Sequence, residues 1–176
     1  GKTSTKEMLR CLLGEDRTHA TAGNWNNRIG VPMTLSGLDS NQQDFAVIEA
    51  GINQPDEMVQ LGGMIQADLN LLTNIEAAHL ELLSSLENIA SEKSLLAELA
   101  KPGSPNIINF DALRYDAYKK LAHRAIVLLP EGAADPGLPS KQIVRYKVSE
   151  QIVNPGENRA LQASQLVTID GQNYPI

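Results

Sequence analysis

Apolar positions recur at helical spacing over residues 2–13, where Met8, Leu9, Leu12 and Leu13 share a side and Gly14 offers a stop. Residues 18–34 are polar and rich in glycine and asparagine, which predicts a long loop. A continuous apolar run over 45–50, closing on Glu49, predicts a strand buried on both faces. A helix follows over 55–65 with Pro55 in its first turn. A second buried strand is expected over 69–75 and a strong helix over 86–100, stopped by Pro102-Gly103.

The alternation continues with a strand over 106–110, a helix over 112–122 and a strand over 125–129. Apolar strands alternating with amphipathic helices predict an α/β fold, a mostly parallel sheet covered by helices on both faces. Beyond the Gly/Pro-rich stretch 130–139 the pattern changes. A strand over 142–148 and a hairpin turning at Asp170-Gly171 predict a small antiparallel C-terminal appendage. No internal repeat interrupts the single domain expected over 1–176.

Composition narrows the partners. The 176 residues carry a formal net charge of −6 with no run of Lys and Arg, which argues against nucleic acid. The one cysteine, Cys11, cannot form an internal disulfide and fits a reducing, cytoplasmic setting. No apolar stretch approaches the roughly 18 residues that span a bilayer, so membrane insertion is not expected. The chain opens on Gly1-Lys2-Thr3 without an initiator Met, and we expect a piece of a longer protein that starts inside a phosphate-binding loop.

Four places could carry chemistry. Gly1-Lys2-Thr3-Ser4 opens a helix and supplies the last part of a phosphate loop: a Lys for phosphate oxygens and a hydroxyl for Mg²⁺. A frayed helix end is the plain alternative. Glu49 closes a strand, where a carboxylate can hold a metal or simply cap a loop. His79 follows the second strand and is either a metal ligand or a solvated side chain. Lys93 falls, at about 100° per residue, in the middle of the stripe Leu86, Ile89, Ala90, Leu96, Ala97 and Ala100. An ammonium there must snorkel, pair or be modified. In a parallel sheet the first three lie along one edge.

The stretches GKTSTKEM (1–8), GNWNNRIGVPMTL (23–35), VIEAGINQPDEM (47–58) and TNIEAAHLELLSSLENIASEK (73–93) together resemble the central, ATP-binding domain of the Mur ligase family. The resemblance covers about the first hundred residues and is architectural after Ala100. It implies a P-loop-type fold and an ATP-dependent amide ligase of peptidoglycan precursor synthesis. The Asn26-Asn27-Arg28-Ile29-Gly30-Val31-Pro32 segment favours the branch that joins D-Ala-D-Ala to UDP-N-acetylmuramoyl-tripeptide through an acyl phosphate. Another Mur-type or folylpolyglutamate-type ligase is the nearest rival, and a non-catalytic nucleotide-binding module of the same fold is the rival from another class. A P-loop GTPase or kinase is a third, the GTPase weakened by the lack of an Asn-Lys-x-Asp motif.

Carried over by position, the resemblance implies that Gly1, Lys2, Thr3 and Ser4 bind ATP phosphates, with Asn74 near the nucleotide. Thr3 and Glu49 would hold one Mg²⁺; His79 and Lys93, the latter as a carbamate, would serve a second. Lys2, His79 and Lys93 would be the catalytic set. Asn26 and Asn27 would face the muramyl-peptide, unless they only build an Asn-rich turn. Glu76 and Ala77 depart from the family's small residues, and the loop's leading glycines, the adenine-contacting end and both flanking domains are missing. The piece alone is therefore expected to be inactive, and the whole enzyme monomeric.

Overall fold

The computed structural model describes residues 1–76, 83–153, 162–169 and 172–175. His79 and Ala77 lie outside the described residues, as does the Asp170-Gly171 turn.

The first helix, α1 (Lys2–Leu13), runs as the periodicity predicts and ends at Gly14. Its apolar side is less covered than expected: Met8 and Leu12 are exposed, and its buried residue is Lys6. The polar stretch after it is not one loop. It contains strand β1 (Thr18–Ala20) and helix α2 (Gly30–Ser36). Pro32 is tolerated in the first turn of α2, where its missing N–H would have no partner within the helix. Asn27 Oδ1 accepts from the amides of Ile29 and Gly30 at 3.0 and 2.9 Å, supplying the cap.

Strand β2 (Phe45–Val47) pairs in parallel with β1, Thr18 opposite Phe45 and Ala20 opposite Val47. It is shorter than the apolar run suggests and not buried on both faces, since Phe45 is 39% exposed. Helix α3 (Glu57–Ile65) starts two residues later than expected, leaving Pro55 outside; Asp56 before it takes a left-handed φ of 65°. Strand β3 is only Asn70–Leu71, and Leu69 is exposed. Helix α4 (Leu86–Glu98) is capped by Ser85, whose hydroxyl accepts from Asn88 N at 3.1 Å.

Strand β4 (Asn106–Asn109) is followed not by one helix but by a 3₁₀ turn over Phe110–Arg114 and helix α5 (Asp116–Leu121). The break is Tyr115, held extended at φ −92°, ψ 132°. Strand β5 (Ala125–Pro130) then leads to β6 (Ile143–Val153), β7 (Gln162–Ile169) and β8 (Gln172–Pro175).

Among the described residues the strands form two sheets, β1-β2 and β3-β4-β5-β6-β7-β8. All pairs from β3 to β6 are parallel, and β7 and β8 are antiparallel. The C-terminal hairpin is antiparallel as expected, and through β6 it extends the parallel sheet. Val127 of β5 pairs with Ile143 of β6, which carries the sheet straight into the hairpin. One core joins the parts, including Val31 of α2, Leu61 of α3, Ile89 of α4, Ile108 of β4 and Val127 of β5. No helix among the described residues is long and apolar enough to cross a membrane.

Candidate nucleotide and metal site

Parallel strands place their C-terminal ends on one edge of a sheet, where ligands of open α/β folds bind. Here the start of α1 meets the segment leaving β2. Glu49 is buried at 6% exposure, and its carboxylate is the centre of the site. Thr3 donates its hydroxyl to Glu49 Oε1 at 3.3 Å, and Asn26 Nδ2 donates to the same oxygen at 2.6 Å. The Glu49 amide donates to Thr21 Oγ1 at 2.9 Å, which fixes the backbone beneath.

Glu49 Oε2 is also buried, and among the described residues it has no hydrogen-bond partner. Burying an unpaired carboxylate oxygen is costly, and a cation is the natural remedy. A hydroxyl beside a carboxylate is a hard-oxygen pair of the kind Mg²⁺ takes, and Mg²⁺ completes its shell with water and phosphate. Among the described residues no three His, Cys, Asp or Glu side chains gather. A one-carboxylate Mg²⁺–nucleotide site needs no such group. The residues present therefore fit the metal.

Gly51 shows how closely the parts approach. A Cβ there would lie 2.9 Å from Asn26 Oδ1 and 3.2 Å from Lys2 Nζ. Its amide also donates to Asn26 O at 2.8 Å. Lys2, Asn26 and Glu49 are thus brought together around one glycine. Ser4 sits exposed in the first turn of α1.

The buried positions of α4 are Ile89, Ala90, Ser94 and Ala97, and Lys93, half-buried, falls at about 100° per residue between Ile89 and Ala97 on the covered side. Lys93 Nζ donates to Asn74 O at 2.7 Å, which takes it to the segment leaving β3. Burial and then the Lys2 ammonium pull its pKa below the ordinary value, with Glu76 opposing. Asn74 itself is exposed; its Nδ2 donates to Glu76 Oε1 at 2.6 Å and its Oδ1 accepts from Ile75 N. Glu76, the departure from the family pattern, is thereby held by Asn74.

The adjacent asparagines do different work. Asn26 serves Glu49, whereas Asn27 spends its carbonyl on the turn into α2. Sequence reasoning missed Lys6. It is 3% exposed and donates to Thr21 O at 2.7 Å and Gly23 O at 2.9 Å, while pairing with Glu7. It pins to α1 the loop that carries Thr21 and leads to Asn26. Nothing in the helical pattern separates Lys6 from a solvated lysine. Thr21 and Gly51 were missed for the same reason: their roles exist only across chain segments far apart in sequence.

Comparison with known proteins supplies the family. The family model described as the Mur ligase middle domain matches residues 1–167, well past Ala100. The chain is 40% identical over 121 residues to the UDP-N-acetylmuramoyl-tripeptide–D-alanyl-D-alanine ligase of Buchnera aphidicola, covering 68% of this chain and 26% of that protein. It is 45% identical over 94 residues to the Escherichia coli ligase of the same name, covering 53% and 21%. The chain thus spans about a quarter of the length of these relatives. Among solved structures it resembles MurF from Acinetobacter baumannii with a TM-score of 0.73 at 23% identity, over 100% of this chain and 36% of that one. With the matching model extending over nearly all of its residues, and with a carboxylate, hydroxyl and lysine converging at the strand ends, the chain belongs to the Mur ligase middle-domain family.

Proposed function

We propose that this chain is the ATP-binding centre of an amide ligase that joins D-Ala-D-Ala to UDP-N-acetylmuramoyl-tripeptide in the cytoplasm. The observation that carries the reading is Glu49: a buried carboxylate with one oxygen engaged by Thr3 and Asn26 and the other unpaired. The relatives' names supply the substrates, and their greater length implies that flanking domains bind them.

In this reading Lys2, together with the amides of Gly1, Thr3 and Ser4 at the start of α1, receives the ATP phosphates. Asn74 lies beside the nucleotide, and Asn26 and Asn27 lie on the loop toward the muramyl-peptide. When bound, Mg²⁺ at Thr3 and Glu49, with a second ion at His79 and Lys93, neutralises phosphate charge. Lys93 serves as a carbamate. Its half-buried amine beside Lys2 supports this, because two neighbouring ammonium groups repel while a carbamate next to Lys2 attracts.

The peptide carboxylate attacks the γ-phosphorus, the bond to the β-phosphate oxygen breaks, and an acyl phosphate and ADP result. The amine of D-Ala-D-Ala then attacks the acyl carbon, and inorganic phosphate leaves as the amide forms. Lys2 stabilises the charge on the transferring group, the part of such catalysis that preorganised cations dominate. The enzyme acts as a monomer, without nucleic acid.

The test uses the complete ligase that contains this chain. Phosphate release with ATP, Mg²⁺ and UDP-muramyl-tripeptide should depend on D-Ala-D-Ala, and release that ignores the dipeptide would overturn the substrate assignment. For Lys93, ¹³C-bicarbonate should yield a carbamate NMR signal that vanishes in Lys93→Ala. Short carboxylic acids should then restore part of the lost activity.

A further inference from the structure

Glu57 is a buried carboxylate that the proposed chemistry does not use. It opens α3, and its side chain is 8% exposed. Its Oε2 accepts from the amides of Asn53 at 2.6 Å and Gln54 at 3.1 Å. Its Oε1 pairs with Arg28 Nε at 3.4 Å. A carboxylate at a helix start is favoured by the helix dipole, but that benefit needs neither the loop amides nor the arginine.

The partners are the notable part. Asn53 and Gln54 end the segment that begins at Glu49, and Arg28 stands two residues from Asn26. The two segments already touch at their other ends, where Asn26 Nδ2 meets Glu49 and Gly51 N meets Asn26 O. Glu57 therefore ties both far ends to α3. The neighbouring Asp56 amide donates to Glu92 Oε1 at 3.1 Å, anchoring the same corner to α4 one residue from Lys93.

We propose that Glu57 and Arg28 form a clasp that positions the Asn26–Glu49 pair, so that Glu57 is a positioning residue for the Mg²⁺–nucleotide site. The inference rests on the reading of Glu49 as a metal ligand. With the clasp intact, Glu49 is held where its unpaired oxygen faces the incoming ion. Without it, the two loops are joined only at the Asn26–Glu49 end, and the ion must first order the rest. The loss therefore falls on binding rather than on the rate once the site is filled.

The test compares wild type with Glu57→Gln in the complete ligase. An amide keeps the shape but turns one acceptor into a donor facing backbone N–H groups or the guanidinium. Mn²⁺ binding followed by electron paramagnetic resonance should weaken about tenfold, with the KM for Mg²⁺–ATP rising in parallel and kcat at saturation changing less than about threefold. Hydrogen exchange at the Asn53 and Gln54 amides should quicken. Glu57→Asp should recover part of the affinity.

Should Glu57→Gln not fold, Arg28→Gln removes the half-exposed partner alone and should weaken Mn²⁺ binding in the same direction. A folded Glu57→Gln enzyme that binds Mn²⁺ within twofold of wild type overturns the clasp. A wild-type enzyme that takes up no Mn²⁺ in the presence of nucleotide overturns the metal reading itself, and the clasp with it. The two failures are thereby distinguishable.

Discussion

Replacing Gly51 with alanine separates damage to the site from damage to the fold. The added methyl would lie 2.9 Å from Asn26 Oδ1, 3.0 Å from Asn26 Cγ and 3.2 Å from Lys2 Nζ. All three are side-chain atoms, and Lys2 is exposed, so the backbone need not move. The fold loses at most the 2.6 Å bond from Asn26 to the Glu49 carboxylate, about 2 kcal/mol for a bond to a charged group. For a 176-residue unit unfolding on its own that is a fall of roughly 4–8 °C in the melting temperature, and less in the longer ligase. In the proposed function both displaced groups serve the phosphate and metal positions, so Mg²⁺–nucleotide affinity should fall about tenfold or more, equivalent to about 1.4 kcal/mol.

Gly30→Ala is the control. There a methyl would meet the Trp25 carbonyl oxygen at 2.3 Å and its carbon at 2.5 Å, both backbone atoms in the turn before α2. The turn must shift, and overpacking of this kind costs about 3 kcal/mol. Thermal unfolding by circular dichroism and calorimetric titration with Mg²⁺–ATP analogue would be measured on the complete ligase. Gly51→Ala should lose affinity out of proportion to stability, and Gly30→Ala should show the larger stability loss. If Gly51→Ala binds nucleotide within twofold of wild type, the convergence of Lys2, Asn26 and Glu49 has no functional weight and the reasoning fails.

Other outcomes follow from the same contacts. Glu49→Gln should leave unfolding without metal within about 1 kcal/mol of wild type, because the lost charge had an unpaired oxygen, yet abolish metal-dependent nucleotide binding; a large drop in the melting temperature would contradict this. Lys6→Met keeps the length of the side chain but strands the Thr21 and Gly23 carbonyls, so it should cost about 2–3 kcal/mol in chemical denaturation. Asn27→Ala removes the cap of α2 and should cost about 1 kcal/mol in the same assay, a smaller loss than that of Lys6→Met. Trp25, the one tryptophan of the chain, precedes Asn26, so its fluorescence in the 176-residue chain should respond to Mg²⁺–nucleotide; Glu49→Gln should remove the response.

Elements whose residues depend on near neighbours were legible. The helix over α1 and the helix over α4 follow from repeating apolar positions, and Gly14 and Pro102 punctuate them as expected. The alternation of strands and helices carried the α/β class, and the four motifs carried the candidate site residues. Legibility failed where partners are distant. Residues 18–34 look like a loop because β1 exists only through its pairing with Phe45–Val47, and α2 through the Asn27 cap. That the C-terminal strands continue the parallel sheet was not legible, because nothing in their own pattern records that Ile143 lies beside Val127.

The same division runs through the site. Its chemical parts are local: a lysine and hydroxyls at a helix start, a carboxylate after an apolar strand. The amino-acid order alone determined these, since they need only short-range spacing. Their use was decided in three dimensions. Which partner Asn26 takes, where the Lys93 ammonium is directed, and why Lys6 and Glu57 are buried depend on contacts between segments far apart in sequence. Burial turns such contacts into obligations: a charge removed from water must find its partner wherever the fold brings one, and a one-dimensional pattern does not record where that is.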